Sequence, residues 1–135
     1  MVFQELIHEA RIIPLDGRPH APESIPLWMG DSRGRWEGDT LVVETTNFDP
    51  KTNFRGSRDS LHLTERYTRV DENKLDYRFT VSDPHTFTRD WTVVRPMTRI
   101  DIADRRSIFE YACHEGNYGM TGILAGARAE EREEP

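Results

Sequence analysis

The run Lys74-Leu75-Asp76-Tyr77-Arg78-Phe79-Thr80-Val81-Ser82-Asp83 decides the fold. Leu75, Tyr77, Phe79 and Val81 occupy every second position, with Asp76, Arg78 and Thr80 between them. A period of two is the signature of an extended strand whose successive side chains leave opposite faces, so the run predicts a β-strand with one oily and one wet face. Such a strand belongs in an antiparallel sheet, because parallel sheets are covered on both sides.

The flanks extend the pattern. Asp71-Glu72-Asn73 and Asp83-Pro84-His85 are turn-forming clusters, and the runs 61–70 and 86–98 on their far sides read as two more strands of a meander. Upstream, Gly34-Arg35-Trp36-Glu37-Gly38-Asp39-Thr40-Leu41-Val42-Val43-Glu44-Thr45 is hairpin chemistry: a short strand ends at Trp36, a Glu-Gly-Asp turn follows, and a β-branched run returns. Residues 3–15 read as a first strand, with Leu6, His8, Ala10 and Ile12 on one face and Glu5, Glu9 and Arg11 on the other. The segment 18–29 contains Pro19, Pro22 and Pro26, which remove backbone donors, so it reads as a crossing loop anchored by Leu27, Trp28 and Met29. The polar stretch 49–60 reads as a mobile loop or lid, 107–114 as a last strand, and 120–134 as a helix with a thin stripe of Ile123, Leu124 and Ala127. About seven strands, one helix and no βαβ alternation predict an all-β fold. A small antiparallel barrel is the expected architecture, since closure removes sheet edges, and a two-layer sandwich is its rival. The expected organisation is one domain over 1–128 followed by an acidic tail over 129–135.

Composition narrows the function classes. A formal net charge of −6, with arginines scattered among acids, disfavours nucleic acid, whose phosphates call for clustered cations. The lone Cys113 excludes an internal disulfide and a cysteine-rich zinc site. No apolar run reaches the roughly 20 residues that a membrane-spanning helix needs, and no signal peptide is expected in this chain.

The runs Gly34-Arg35-Trp36-Glu37-Gly38-Asp39-Thr40-Leu41-Val42-Val43-Glu44-Thr45-Thr46-Asn47-Phe48 and Phe109-Glu110-Tyr111-Ala112-Cys113-His114-Glu115-Gly116-Asn117-Tyr118 carry a resemblance. The chain resembles a widespread, uncharacterised family of proteins from environmental bacteria, often a domain of longer exported precursors. Asp16-Gly17-Arg18-Pro19-His20 and Trp28-Met29-Gly30 belong to the same resemblance. It implies an exported or periplasmic setting and lends no mechanism. The Gly34-x-Trp36 element beside strands, with a helix near the carboxy terminus, is also similar to lipocalin barrels, which implies a barrel that holds a small ligand.

Within that frame, the residues able to do chemistry are few. His8 shares the apolar side of its strand, and Glu65 is in phase with Leu61, Leu63 and Tyr67, so both are expected to face the interior. A buried imidazole and a buried carboxyl form the leading acid/base pair, with Glu110 and His114 in support. The competing reading makes His8 a paired core residue and Glu65 half of an ion pair with an arginine. Glu110 and His114 lie roughly 13 Å apart along one strand, too far to bond directly. Cys113 is read as a small hydrophobe before a nucleophile. Trp28, Trp36, Tyr67, Tyr77, Trp91 and Tyr111 are the expected ligand-lining aromatics. His62 is placed on the wet face. His8, His20, His62, His85 and His114 are dispersed without a tight pair, so a cofactor-free site is expected before a His/carboxylate metal site. The expected function is a cofactor-independent hydrolase, isomerase or lyase acting on a small organic molecule, with a homodimer covering any open edge. A non-catalytic carrier and an interaction module of a larger exported protein are the alternatives.

Overall fold

The computed structural model describes residues 1–3, 10–99 and 118–133, which fall into two compact units, 1–3 with 10–99 and, separately, 118–133. In the first unit a short pair, β1 (Val2–Phe3) and β2 (Ala10–Arg11), stands apart from a five-stranded sheet of β3 (Asp31–Glu37), β4 (Thr40–Thr46), β5 (His62–Arg69), β6 (Lys74–Ser82) and β7 (Trp91–Thr98). Each strand pairs antiparallel with its chain neighbour, in the order β3-β4-β5-β6-β7. The all-β meander is therefore present, but the barrel is not: among the described residues β3 and β7 do not pair, and the sheet stays open. The expected single strand over 3–15 is not present either: Phe3 and Ala10 belong to two strands paired antiparallel, and Arg11 turns inward to Glu65 while Ile12, expected on the oily face, is exposed. Ile12 to Leu15 form no further strand, and this stretch is joined to β3 by the Gly34 amide, which donates to the Pro14 carbonyl at 2.9 Å. The expected strand 107–114 lies outside the described residues.

Register explains the two faces. One row across the sheet joins Gly34, Val43, Glu65, Phe79 and Val93, and the next joins Trp36, Leu41, Tyr67, Tyr77 and Arg95. This is the oily face that the alternation of Lys74–Ser82 called for. The opposite face carries Thr40 bonded to Thr68 and Thr80 bonded to Thr92, each at 2.8 Å, and ion pairs such as Arg66–Glu37 at 2.8 Å and Arg78–Asp76 at 3.0 Å. Such surface pairs add little, because water and salt screen them. Their stems still matter, because Val42 sits in register between Arg35 and Arg66 on that wet face and is nevertheless buried.

The oily face is covered at one end by the connections. Phe48, Leu61 and Val81 form the buried cluster, with Phe54, Leu63, Phe79, Phe87 and Trp91 packed on it. Phe54 lies parallel to Trp91 at 6.2 Å and edge-on to Phe79 at 6.4 Å. The polar stretch 49–60 is thus an anchored loop in place of the expected free lid. Arg55 and Gly56 both take positive φ, 54° and 98°, and the Phe54 and Ser57 amides and carbonyls bond reciprocally at 3.0 Å. This tight two-residue turn sends Phe54 back into the core. Across the sheet, Ile13 and Leu15 lie directly over Gly34, whose hydrogen leaves room that a Cβ would not, since it would meet those two side chains at 2.8 and 2.5 Å.

A buried polar network ties this covering segment to the sheet. Glu65, 3 % exposed, receives the hydroxyls of Tyr67 and Tyr77 on Oε1, each at 2.8 Å. Its Oε2 faces Arg11 Nη2 at 2.7 Å, and the same guanidinium donates to the Tyr67 hydroxyl at 3.3 Å. The two phenol rings stack with centroids 4.8 Å apart. Burial, followed by the Glu65 charge, pushes both phenols above their ordinary range. For Arg11, burial works against the charge and the bond to Glu65 outweighs it.

In the second unit, α1 (Gly119–Glu133) matches the helix expected over 120–134, with Arg132 in its last turn, where a cation suits the helix dipole. It runs without a break through the expected boundary at 128. No helix among the described residues is long and apolar enough to cross a membrane.

Removing Arg11 leaves an uncompensated carboxylate inside the sheet. Arg11→Ala is expected to lower unfolding stability by about 3 kcal/mol, within the range for breaking one partner of a buried pair. Urea denaturation reads this directly, and an unchanged midpoint would show that the pair does not hold the segment down.

Candidate functional site

A half-open groove of about 590 Å³ lies at the end of the sheet where β4 leaves and β5 enters. Four segments contribute to it: Glu23 and Pro26 from the crossing segment; Thr46, Asn47, Phe48 and Pro50 from the exit of β4; Asp59, Ser60, Leu61 and His62 from the entry to β5; and His85 from the β6–β7 connection.

Asn47 builds the first junction. It takes a left-handed backbone at φ 55°, which asparagine tolerates better than most residues. Its Nδ2 donates to the carbonyls of Ala21 and Pro22 at 2.8 and 3.1 Å, and its own carbonyl accepts the Leu27 amide at 2.8 Å. Prolines in the crossing segment cannot supply ladder donors, so side-chain bonds and isolated backbone bonds dock it instead. Leu27 accepts the Asp49 amide at 2.9 Å, and Thr52 donates its hydroxyl to the Trp28 carbonyl at 3.0 Å. A second anchor lies beside the groove. Asp31, on β3, accepts from His20 Nδ1 at 2.8 Å, the Ala21 amide at 3.0 Å and Arg33 at 2.6 Å, while Arg33 also donates to the Pro19 carbonyl at 2.9 Å. Burial would raise the Asp31 carboxyl, and these donors reverse that and hold it low.

Asp83 builds the other junction. It is 1 % exposed and accepts the Ser60 hydroxyl at 2.9 Å and the His85 amide at 3.0 Å through Oδ1. Its carbonyl takes the amides of Thr86 and Phe87 at 3.1 and 2.8 Å. One carboxylate therefore fixes two groove residues, Ser60 and His85, from behind the wall. Burial alone would raise its pKa, but the hydroxyls of Ser57, Ser60 and Thr86 and the His85 amide outweigh burial and hold it at about 2.

The residues singled out in the sequence are distributed differently from expectation. Glu65 faces inward as its alternation required, but it is engaged by Arg11, Tyr67 and Tyr77 and does not line the groove. Tyr67 and Tyr77 are occupied by that carboxylate, and Trp91 by the rings of Phe54, Phe79 and Phe87. Trp28 and Trp36 are exposed, and none of these five aromatics lines the groove. His8, Glu110, Tyr111, Cys113 and His114 lie outside the described residues. The groove is lined instead by His62, placed by the sequence on the wet face, by His85, counted there only among dispersed histidines, and by Glu23 and Asp59, which the sequence left unassigned. The legible signal was the Asp83-Pro84-His85 turn, whose aspartate bonds the amide two residues on. Among the described residues no three His, Cys, Asp or Glu side chains are arranged to hold a metal ion.

The Asp83 anchor gives a pH dependence with a definite sign. A carboxyl held below its ordinary value near 3.8 stabilises the fold above that value, and the contribution is lost as pH falls to about 2. Acid unfolding of the native chain is expected to steepen between about pH 4 and pH 2, and Asp83→Asn should flatten that limb. A variant that unfolds with acid along the parent curve would remove Asp83 from the account.

Compared with known proteins, no family model, no curated protein and no solved structure matches the chain.

Proposed function

We propose that the chain binds a small organic molecule in this groove and exchanges protons with it through His62 and His85, without a cofactor. The observation that carries the reading is that two imidazoles and two carboxylates line one half-open groove of about 590 Å³. That volume falls in the range of ordinary small-molecule sites, which combine an apolar lining with a few polar groups. Here Phe48 and Leu61 supply the apolar part and the ionisable groups stand around it.

Imidazole is the side chain best matched to proton transfer near neutral pH. His62 starts a strand held on both sides, and His85 sits on a turn pinned by Asp83, so both come from segments fixed before any ligand arrives. Glu23 and Asp59 can orient a substrate or polarise an imidazole. Hydrolysis, isomerisation and elimination are the reactions such a set serves. Simple carriage of the ligand is the second reading, supported by the buried apolar floor of Phe48 and Leu61.

A fragment library screened by the ring resonances of the histidines tests the site. Ligands of this groove should move His62 and His85 together. A library whose hits leave both rings unmoved and shift residues elsewhere would overturn the assignment. With a substrate in hand, His62→Gln or His85→Gln should lower turnover by about 10²- to 10⁴-fold while affinity changes little. Affinity without any turnover would favour carriage.

A further inference from the structure

From the charge of the groove we infer the class of its ligand: a small amine, bound as its ammonium ion, carrying an apolar body. The inference rests on the groove being the ligand site and specifies what that site selects. Its ionisable lining consists of Glu23, Asp59, His62 and His85, and no lysine or arginine among the described residues lines it. Lys51, Arg55 and Arg58 belong to the same 49–60 loop, yet they are not part of the wall. The lining thus holds two carboxylates and no lysine or arginine to offset them. Asp83 adds a third carboxylate directly behind the wall, bonded to Ser60 and to the His85 amide. Its low pKa keeps it ionised across the neutral range.

Carboxylates in the lining and behind one wall, with no cation in the lining itself, favour a cationic ligand over an anionic one at that surface. An entering carboxylate or phosphate would give up its hydration and find no fixed cation. An ammonium ion would exchange water for carboxylate oxygens, the imidazole nitrogens and the hydroxyls of Thr46 and Ser60. The floor fixes the other half of the ligand. Phe48 and Leu61 are 8 % and 4 % exposed, so what they show to the groove is the edge of the hydrophobic core, and Pro26 and Pro50 flank it. Such a surface favours an aryl or alkyl body beside the ammonium head.

Three probes with one body and different heads test this: 2-phenylethylamine, 2-phenylethanol and phenylacetate, titrated into the full chain while the His62 and His85 ring resonances are followed. The amine should saturate both histidines with at least tenfold higher affinity than the alcohol, and phenylacetate should not saturate them. Raising the salt concentration should weaken the amine and leave the alcohol unchanged. Glu23 and Asp59 are exposed, so the double variant Glu23→Gln/Asp59→Asn should keep the fold and bring the amine down to the affinity of the alcohol. Equal binding of all three probes at these histidines would overturn the charge selection and leave the groove standing as a ligand site. Tighter binding of phenylacetate, an amine affinity unmoved by the double variant, or no saturation by the amine would each overturn the inference. The groove itself falls only if the fragment screen places ligands elsewhere.

Discussion

A carboxylate inside an apolar sheet face loses several kcal/mol of hydration unless charge and hydrogen bonds replace it. Glu65 meets that requirement with a guanidinium from β2 and two phenols from its own face of β5 and β6. The requirement constrains the chain well beyond one contact. Arg11 can reach Glu65 only if the segment that follows it lies across the oily face, which places Ile13 and Leu15 over Gly34. A side chain at that position would lift the segment away, so the smallest residue in β3 and the buried ion pair serve the same docking. Open edges are then tolerable, because the face most in need of cover has it without barrel closure.

The same economy appears at the groove. Strands end in side chains that bond to backbone: Asn47 at the exit of β4, Asp83 at the exit of β6, Asp31 at the start of β3. Each satisfies donors or acceptors that no ladder reaches, and together they hold three connections in fixed relation. A concave surface between three fixed connections follows from this. It is polar because its makers are polar, and it has an apolar floor because Phe48 and Leu61 close the core at that point.

Local chemistry accounts for what the sequence revealed. Period-two alternation over Lys74–Ser82 placed every side chain of β6 on its correct face, and the Glu-Gly-Asp signal located the β3–β4 hairpin to within a residue. Both are properties of neighbours in the chain. Closure depends on whether the first and last strands meet, and nothing in either strand encodes that. The role of 49–60 was hidden for a related reason: its polar composition outweighed a single phenylalanine, and only the left-handed Arg55-Gly56 turn explains how Phe54 returns to Trp91. His62 stands in phase with Arg66, as the alternation requires, but alternation says nothing about what lies beside the strand end. The crossing segment that turns that end of the sheet into a wall comes from residues about 40 positions earlier, and its docking runs through Asn47, whose backbone conformation has no reliable sequence signal.

This separation of roles bears on where chemistry can sit in an open sheet. A barrel places its ligand inside, among the residues that alternate inward, and that expectation is what directed attention to Glu65, Tyr67 and Tyr77. Once the sheet is open, those inward residues are needed to hold the cover on, and any proton that Glu65 took up would weaken its pairing with Arg11. A group whose ionisation secures the fold is poorly suited to cycle through protonation in each turnover. The histidines at the sheet end carry no such duty. The hydrogen bond at His85 runs from its backbone amide to Asp83, so the turn is held without the imidazole ring. Separating the groups that hold the structure from those with no part in holding it is why we propose the groove, and not the buried network, as the place for chemistry.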